Sequence, residues 1–450
     1  MRLNIMTKES KITVIFGPNG SGKTRYAEDM RRKMASDSLR YIAFSDAYGA
    51  ATDKAYYLQL RWNQHDIDEE TPRVGKLLEK AYLNAGNDTP ERSLLRQQLY
   101  EIFDIEPFLD KYVILLSSGE LRKFQLVKAL LSHPTTLILD NPFIGLDAET
   151  RQLLNTLLFQ LNRQQGINLY LLLSKREDVP DYADEIIYLG DSNDKQTNVQ
   201  PTEYYAKEMA SIEAEMTENH NPSQSDVVVE MNKVSIRYGE RTILRGLDWV
   251  IRKGERWALC GQNGSGKSTL LSLICADNPQ SYACDIKLFG NQRGHGESIW
   301  EIKRRIGYVS PEMHRSYMRN IPTINVVASG LKDTVGLYIR ANESEKNQCL
   351  KWMRLFGIEH LAQRSFLTLS SGEQRLALVA RAFVKCPELL ILDEPLHGLD
   401  NNNRQLVKNI IEAYCQDKSK TLIMVTHYEE ELPECITKRK TLEKIKEPTV

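Results

Sequence analysis

The chain has almost no excess charge of either sign, no long apolar run and no cysteine in its first half. A formal net charge of −1, with 26% of residues charged, leaves no global basic field of the kind that draws proteins onto nucleic acid or anionic membrane. The longest apolar runs, such as INLYLLL from Ile167 to Leu173, fall far short of the ~20 residues of a membrane helix. Any role at a bilayer then depends on partners. The seven cysteines all lie between Cys260 and Cys435, and none forms a C-x-x-C pair or another zinc-ligand spacing. They read as small buried apolar residues. An odd number of thiols and no signal-peptide pattern after Met1 lead us to expect a reducing cytoplasm.

What the chain does contain is a repeat. GPNGSGKT (Gly17–Thr24) returns as GQNGSGKS (Gly261–Ser268), LSSGELRK (Leu116–Lys123) as LSSGEQRL (Leu369–Leu376), and LILDNPFIGLD (Leu137–Asp147) as LILDEPLHGLD (Leu390–Asp400). Gly119 and Gly372 are 253 residues apart, as are Asn141 and Glu394, whereas Lys23 and Lys267 are 244 apart. The second copy thus carries nine more residues between its lysine and its LSSGE. At 450 residues the chain also exceeds what one hydrophobic core usually organises. The expected organisation is a first domain at 1–190, a polar linker at 191–226 with a helix around Glu203–Met216, and a second domain at 227–450. Within each half, short β-branched and leucine runs alternate with helical patterns, which predicts an α/β fold with a largely parallel sheet.

Each G-x-x-x-x-G-K-[ST] follows an apolar strand, KITVIF from Lys11 and RWALC from Arg256, which is the context of a phosphate-binding loop. In the first copy Gly17, Asn19, Gly20, Ser21 and Gly22 form the loop, Lys23 reaches the β/γ-phosphates and the Thr24 hydroxyl holds Mg²⁺. In the second the same parts are Gly261, Asn263, Gly264, Ser265, Gly266, Lys267 and Ser268. Asp140 and Asp393 end apolar runs and are placed to share the Mg²⁺ with those hydroxyls. Hydrolysis needs a water aimed at the γ-phosphorus, beside a group that accepts its proton. Glu394 can be that group; Asn141 cannot.

Taken together these motifs resemble the nucleotide-binding domains of the ATP-binding cassette (ABC) family. The resemblance implies two P-loop NTPase domains in tandem, each a largely parallel sheet core with a helical subdomain, using ATP and Mg²⁺. The LSSGE segments are similar to the family signature, with Ser118 and Ser371 in place of a glycine and Glu120 and Glu373 in place of a glutamine. Family cassettes dock head to tail, so Ser117, Ser118, Gly119 and Glu120, and Ser370, Ser371, Gly372 and Glu373, are each implied to face an ATP held by the other cassette's loop. Both composite sites then lie within one chain. The resemblance also implies that Tyr238 stacks on adenine, and only 22 residues precede Lys23, too few for an equivalent aromatic. It makes His427 the switch histidine at the γ-phosphate; Ser174 stands 253 residues before it in the first half. One site, with Glu394 and His427, is expected to hydrolyse, and the other to be degenerate.

The stretch Asp285–Ser310 further resembles a twin-cassette subgroup named for molybdate transport. That resemblance implies an energising subunit for a small solute, held at the inner face of the membrane by separate transmembrane permease subunits. One feature departs from transporter cassettes, which carry a glutamine after a strand like IGYVS (Ile306–Ser310); here Pro311 and Glu312 follow. In the first half the corresponding place reads Ser45 and Asp46, with Gln59 or Gln64 as a substitute on a different loop path. The alternative is a soluble ATP-driven switch acting on ribosomes or nucleic acid. Against it stand the short, acid-containing linker and the lack of zinc cysteines or a long insertion.

Overall fold

The computed structural model describes residues 10–34, 38–42, 71–116, 118–143, 146, 148–190, 199–215, 225–239, 241–262, 264–296, 298–311, 313, 317, 320–334, 341–426 and 428–445. The chain forms two compact units, Met1–Asp194 and Lys195–Val450.

In the first unit the elements run β1 (Ile12–Phe16), α1 (Lys23–Lys33), β2 (Leu39–Ile42), α2 (Val74–Asn84), α3 (Pro90–Phe103), α4 (Ser118–Leu131), β3 (Thr136–Asp140), α5 (Ala148–Gln165), β4 (Asn168–Leu173) and β5 (Glu185–Tyr188). The strands form one parallel sheet in the order β2-β3-β4-β1-β5. β3 is buried along its whole length, as expected of a parallel strand covered on both faces. Helices α2 and α3 both pack on α4, which lies against β2. Pro90 opens α3 behind Thr89, whose hydroxyl accepts the Arg92 N–H at 3.3 Å, and Leu95, Leu99 and Phe103 recur every fourth residue to bury one face.

The second unit begins with α6 (Thr202–Ala214) and continues through β6 (Val227–Tyr238), β7 (Arg241–Arg252), β8 (Arg256–Gly261), α7 (Lys267–Ile274), β9 (Asp285–Leu288), β10 (Asn291–Gln292), α8 (Ile299–Arg305), β11 (Ile306–Val309), α9 (Thr323–Ala328), α10 (Glu343–Leu355), α11 (Ser371–Phe383), β12 (Leu389–Asp393), α12 (Asn401–Gln416), β13 (Thr421–Val425) and β14 (Lys438–Leu442). Its parallel sheet, β11-β12-β13-β8-β14, repeats the first strand for strand. It also has a four-stranded antiparallel sheet, β10-β9-β6-β7, which the sequence reading did not anticipate. Trp249 on β7 meets Trp257 on β8 edge-on at 5.6 Å and joins the two sheets through a shared apolar cluster.

The helix expected within the polar linker is α6, and it is no free tether. Tyr205, Met209 and Ile212 lie on one face and are buried in the core of the second unit beside α12. Lys420 pairs with Glu213 at 2.7 Å, and Asn409 Nδ2 donates to the Gln200 carbonyl at 3.0 Å. Among the described residues no helix is long and apolar enough to cross a membrane.

Candidate functional site

β1 and β8 each run straight into a glycine loop that ends in a helix. Gly22 and Gly266 sit at φ of 88° and 95°, the left-handed region in which a side chain is strained, and from there the chain enters α1 and α7. At the loop's start the constraint is space. A Cβ on Gly17 would stand 2.2 Å from the Leu189 carbonyl oxygen, and one on Gly261 would stand 2.5 Å from that of Leu442.

Lys23 Nζ donates to the carbonyls of Gly17 and Pro18, the latter at 2.7 Å. Lys267 Nζ donates to those of Gly261 at 2.6 Å and Gln262 at 3.0 Å. Both ammonium groups therefore sit in the cradle of their loops. The hydroxyl oxygens of Ser21 and Ser265 are buried without a hydrogen-bond partner. Buried hydroxyls of that kind, beside an ammonium and a turn of backbone N–H groups, fit a bound polyphosphate. Asn19 and Gly20, with Gly264, occupy the described part of the loops; Asn263 lies outside the described residues.

The strand-end acids lie where the sequence places them. Asp140 closes β3 beside β4, and Asp393 closes β12 beside β13. Thr24 Oγ1 stands 3.5 Å from Asp140 Oδ2, so the first unit brings together the two oxygen donors that a hard cation such as Mg²⁺ takes. Ser268 holds the position of Thr24 at the start of α7.

The residue after each aspartate adopts the same unusual backbone. Asn141 has φ 48° and Glu394 φ 50°, and their N–H groups donate at 2.9 Å to Leu172 O and Val425 O respectively. A buried guanidinium holds each turn from beneath. Arg122 donates to the carbonyls of Asp140 at 2.7 Å and Asn141 at 3.2 Å. Arg375 donates to those of Asp393 at 2.9 Å, Pro395 at 3.3 Å and Ser310 at 3.0 Å, and to that of Glu394. Burial lowers the Arg375 pKa to about 10, still high enough to keep it protonated at neutral pH. The sequence reading missed both arginines, although they recur at one offset in LSSGELRK and LSSGEQRL.

Here the two copies part. Asn141 Nδ2 donates to Asp140 Oδ1 at 2.9 Å, so the amide serves the neighbouring carboxylate. Glu394 Oε2 instead lies 2.6 Å from His397 Nδ1, a residue the sequence reading did not single out. Burial holds the His397 pKa below its ordinary value despite the opposing pull of Glu394. The ring is then neutral at pH 7, with Nδ1–H donating to the carboxylate. His427 lies outside the described residues. Ser174, its first-half counterpart, is buried and its hydroxyl has no hydrogen-bond partner.

In the second LSSGE segment the first serine and the glutamate are engaged locally. Ser370 caps α11, its hydroxyl accepting the Glu373 N–H at 3.3 Å, while the Glu373 carboxylate accepts from the Ser370 N–H and hydroxyl, both at 2.8 Å. This capping box leaves Ser371 and Gly372 in the first turn with the helix's leading N–H groups. Glu120 pairs with Lys111 at 2.8 Å. Ser118 and Gly119 begin α4, and Ser117 lies outside the described residues. Tyr238 ends β6 half-buried, its hydroxyl accepting from Asn278 Nδ2 at 2.9 Å.

The profile of the ABC transporter family matches residues 1–144 and 244–397. Among curated relatives, the ABC transporter ATP-binding protein ModF of Escherichia coli is 35% identical over 94% of this chain and 89% of its own length. An uncharacterised ABC transporter ATP-binding protein of Schizosaccharomyces pombe, C323.04, is 28% identical over 94% of this chain and 91% of its own. With two phosphate loops, two strand-end acids and two LSSGE helices on sheets of identical strand order, the chain belongs to the ABC transporter family as a twin-cassette ATP-binding ATPase.

Proposed function

We propose that the two cassettes divide their labour: the second turns ATP over and the first retains it. The observation that carries this reading is the exchange of Glu394 for Asn141 on one backbone turn, a carboxylate beside His397 in one copy and an amide bonded to Asp140 in the other. Glu394 accepts the proton of the attacking water, and its cassette alone also has a histidine, His427, at the switch position. Mg²⁺ held by Ser268 and Asp393, and by Thr24 and Asp140, would neutralise charge on the phosphates. The competent cassette carries Lys267, Ser268, Asp393, Glu394 and His427. The retaining cassette carries Lys23, Thr24 and Asp140.

Glu394→Gln should cut hydrolysis ~10²–10⁴-fold, the usual cost of an aligned base, with ATP binding intact. Nucleotide trapping on the unmodified chain should find one ATP hydrolysed and one retained per cycle. Equal turnover at both sites, or unchanged turnover in Glu394→Gln, refutes the division.

For the biological role, we infer an energising subunit of a small-solute transport system working through separate permease subunits at the cytoplasmic face of a membrane. The likeness to ModF along nearly the whole chain supports this reading, and the subgroup resemblance of Asp285–Ser310 suggests molybdate as the solute. Affinity purification from membranes should recover permease subunits; recovery of ribosomes instead would favour the soluble-switch alternative.

A further inference from the structure

The turn after β12 carries a side chain that the cassette chemistry above does not use. His397 N–H donates to the Glu394 carbonyl at 3.1 Å and closes a tight turn, and the same residue's ring Nδ1 reaches Glu394 Oε2 at 2.6 Å. Both side chains are largely buried, at 15% and 17% exposure, where a charge-assisted hydrogen bond is short and strong. Three of the backbone carbonyls around this turn accept from Arg375, which holds the backbone that carries both side chains. A second observation comes from the sequence. LILDEPLHGLD has His397 three residues after its glutamate, whereas LILDNPFIGLD has Ile144 three after its asparagine. The base and the histidine are present together in one copy and absent together from the other.

We propose that His397 is a positioning residue for Glu394: its Nδ1–H takes one carboxylate oxygen and so commits the other to the attacking water. A glutamate has three side-chain torsions, and without this anchor the carboxylate samples rotamers that do not face the γ-phosphate. Orientation of this kind is a large part of what a general base contributes, and a misplacement of about 1 Å can cost on the order of 100-fold. The neutral state of the ring agrees with a donor at Nδ1.

This proposal rests on the reading of Glu394 as the base, and the test separates the two. The full chain is compared with His397→Ala, His397→Asn, His397→Gln and Glu394→Gln by steady-state ATPase rate, KM for MgATP and binding of ATP. Asparagine places an N–H at the distance of Nδ1 along its side chain; glutamine places its amide one bond farther out. His397→Ala and His397→Gln should lower kcat about 10- to 100-fold with KM and ATP affinity within twofold, while His397→Asn should recover most of the rate. A purely structural role would not sort asparagine from glutamine. If Glu394→Gln abolishes turnover but His397→Ala retains it, the positioning role falls and the base stands. If Glu394→Gln itself turns over normally, the base reading falls first. Should His397→Ala fail to fold, the asparagine and glutamine variants decide alone, and equal rates in those two overturn the proposal.

Discussion

Asn141→Glu, the substitution that would restore a glutamate to the first cassette, is expected to destabilise it before it restores any chemistry. Asparagine tolerates the left-handed region far better than glutamate, which there costs about 1 kcal/mol more. The change also removes the 2.9 Å bond from Asn141 Nδ2 to Asp140 Oδ1, a hydrogen bond to a charged group worth roughly 1.5–3 kcal/mol. In its place a second carboxylate stands beside a buried first one, at 6% exposure for Asp140. A total of about 2–4 kcal/mol follows, because the longer side chain can rotate part of its charge away from Asp140.

Urea denaturation followed by hydrogen exchange in peptides covering β3 and β4 reads this cassette separately. At a slope of about 2 kcal/mol per molar, the midpoint should fall by about 1–2 M. Two companions divide the effect. Asn141→Gln keeps the amide but loses the backbone tolerance and should cost about 1 kcal/mol. Asn141→Asp keeps the tolerance but adds the charge, and should fall between glutamine and glutamate. MgATP should narrow the deficit of the two acidic variants, since a divalent cation between carboxylates removes their repulsion. A glutamate variant as stable as the parent, or a glutamine variant worse than the glutamate, would show that neither the turn nor the Asp140 bond selects asparagine.

Lys385 is buried, bonded to the Lys303 carbonyl at 2.6 Å and paired with Asp333; burial lowers its pKa to about 8. Between pH 8 and about 10.5 the unfolded chain then holds a proton that the folded one has shed, so stability rises with pH across that window. Relative to Lys385→Met, the second cassette should gain about 3 kcal/mol from pH 8 to 10.5, and a flat difference would refute the burial penalty. Removing the apolar anchors of α6 with Met209→Ala and Ile212→Ala, at about 2–5 kcal/mol each, should raise hydrogen exchange across Thr202–Ala214 while β12 and β13 stay protected. Unchanged protection would mean that the ion pair with Lys420 and the contacts around Gln200 hold the helix without its apolar face.

The glycine loops, the strand-end aspartates and the largely parallel character of the main sheets were legible in the sequence because each is written locally. Glycine spacing defines a loop, and an apolar run ending in aspartate defines a strand that stops at the edge of the core. What escaped was non-local. The antiparallel sheet of the second unit depends on β6 finding β9 and, through several register shifts, β7, and no pattern within β6 names its partners. Arg375 was passed over in the sequence, yet it is 1% exposed and bonded to carbonyls 18 to 65 residues away. The linker helix looked polar because its three buried side chains sit among Glu203, Lys207, Glu208 and Glu213, and only the packing tells which face counts. His397 was visible all along in the opposition of LHG to FIG, but a lone histidine acquires meaning only with a distance attached.

The two turns after β3 and β12 use one backbone design: the same φ, the same bond to the adjacent strand and the same buried arginine beneath. On a scaffold shared to that degree, the difference between cassettes has to reside in side chains. Asparagine is what the left-handed turn itself favours, and its amide turns inward to fix Asp140, which would keep that carboxylate aimed at a cation. Glutamate is not what the turn favours, and holding it there costs about 1–2 kcal/mol of backbone strain. That strain has a counterpart in the His397 bond, which stabilises the carboxylate in one orientation. Under the proposed division the strained position is the one that works on water, and the relaxed position is the one that holds on to nucleotide.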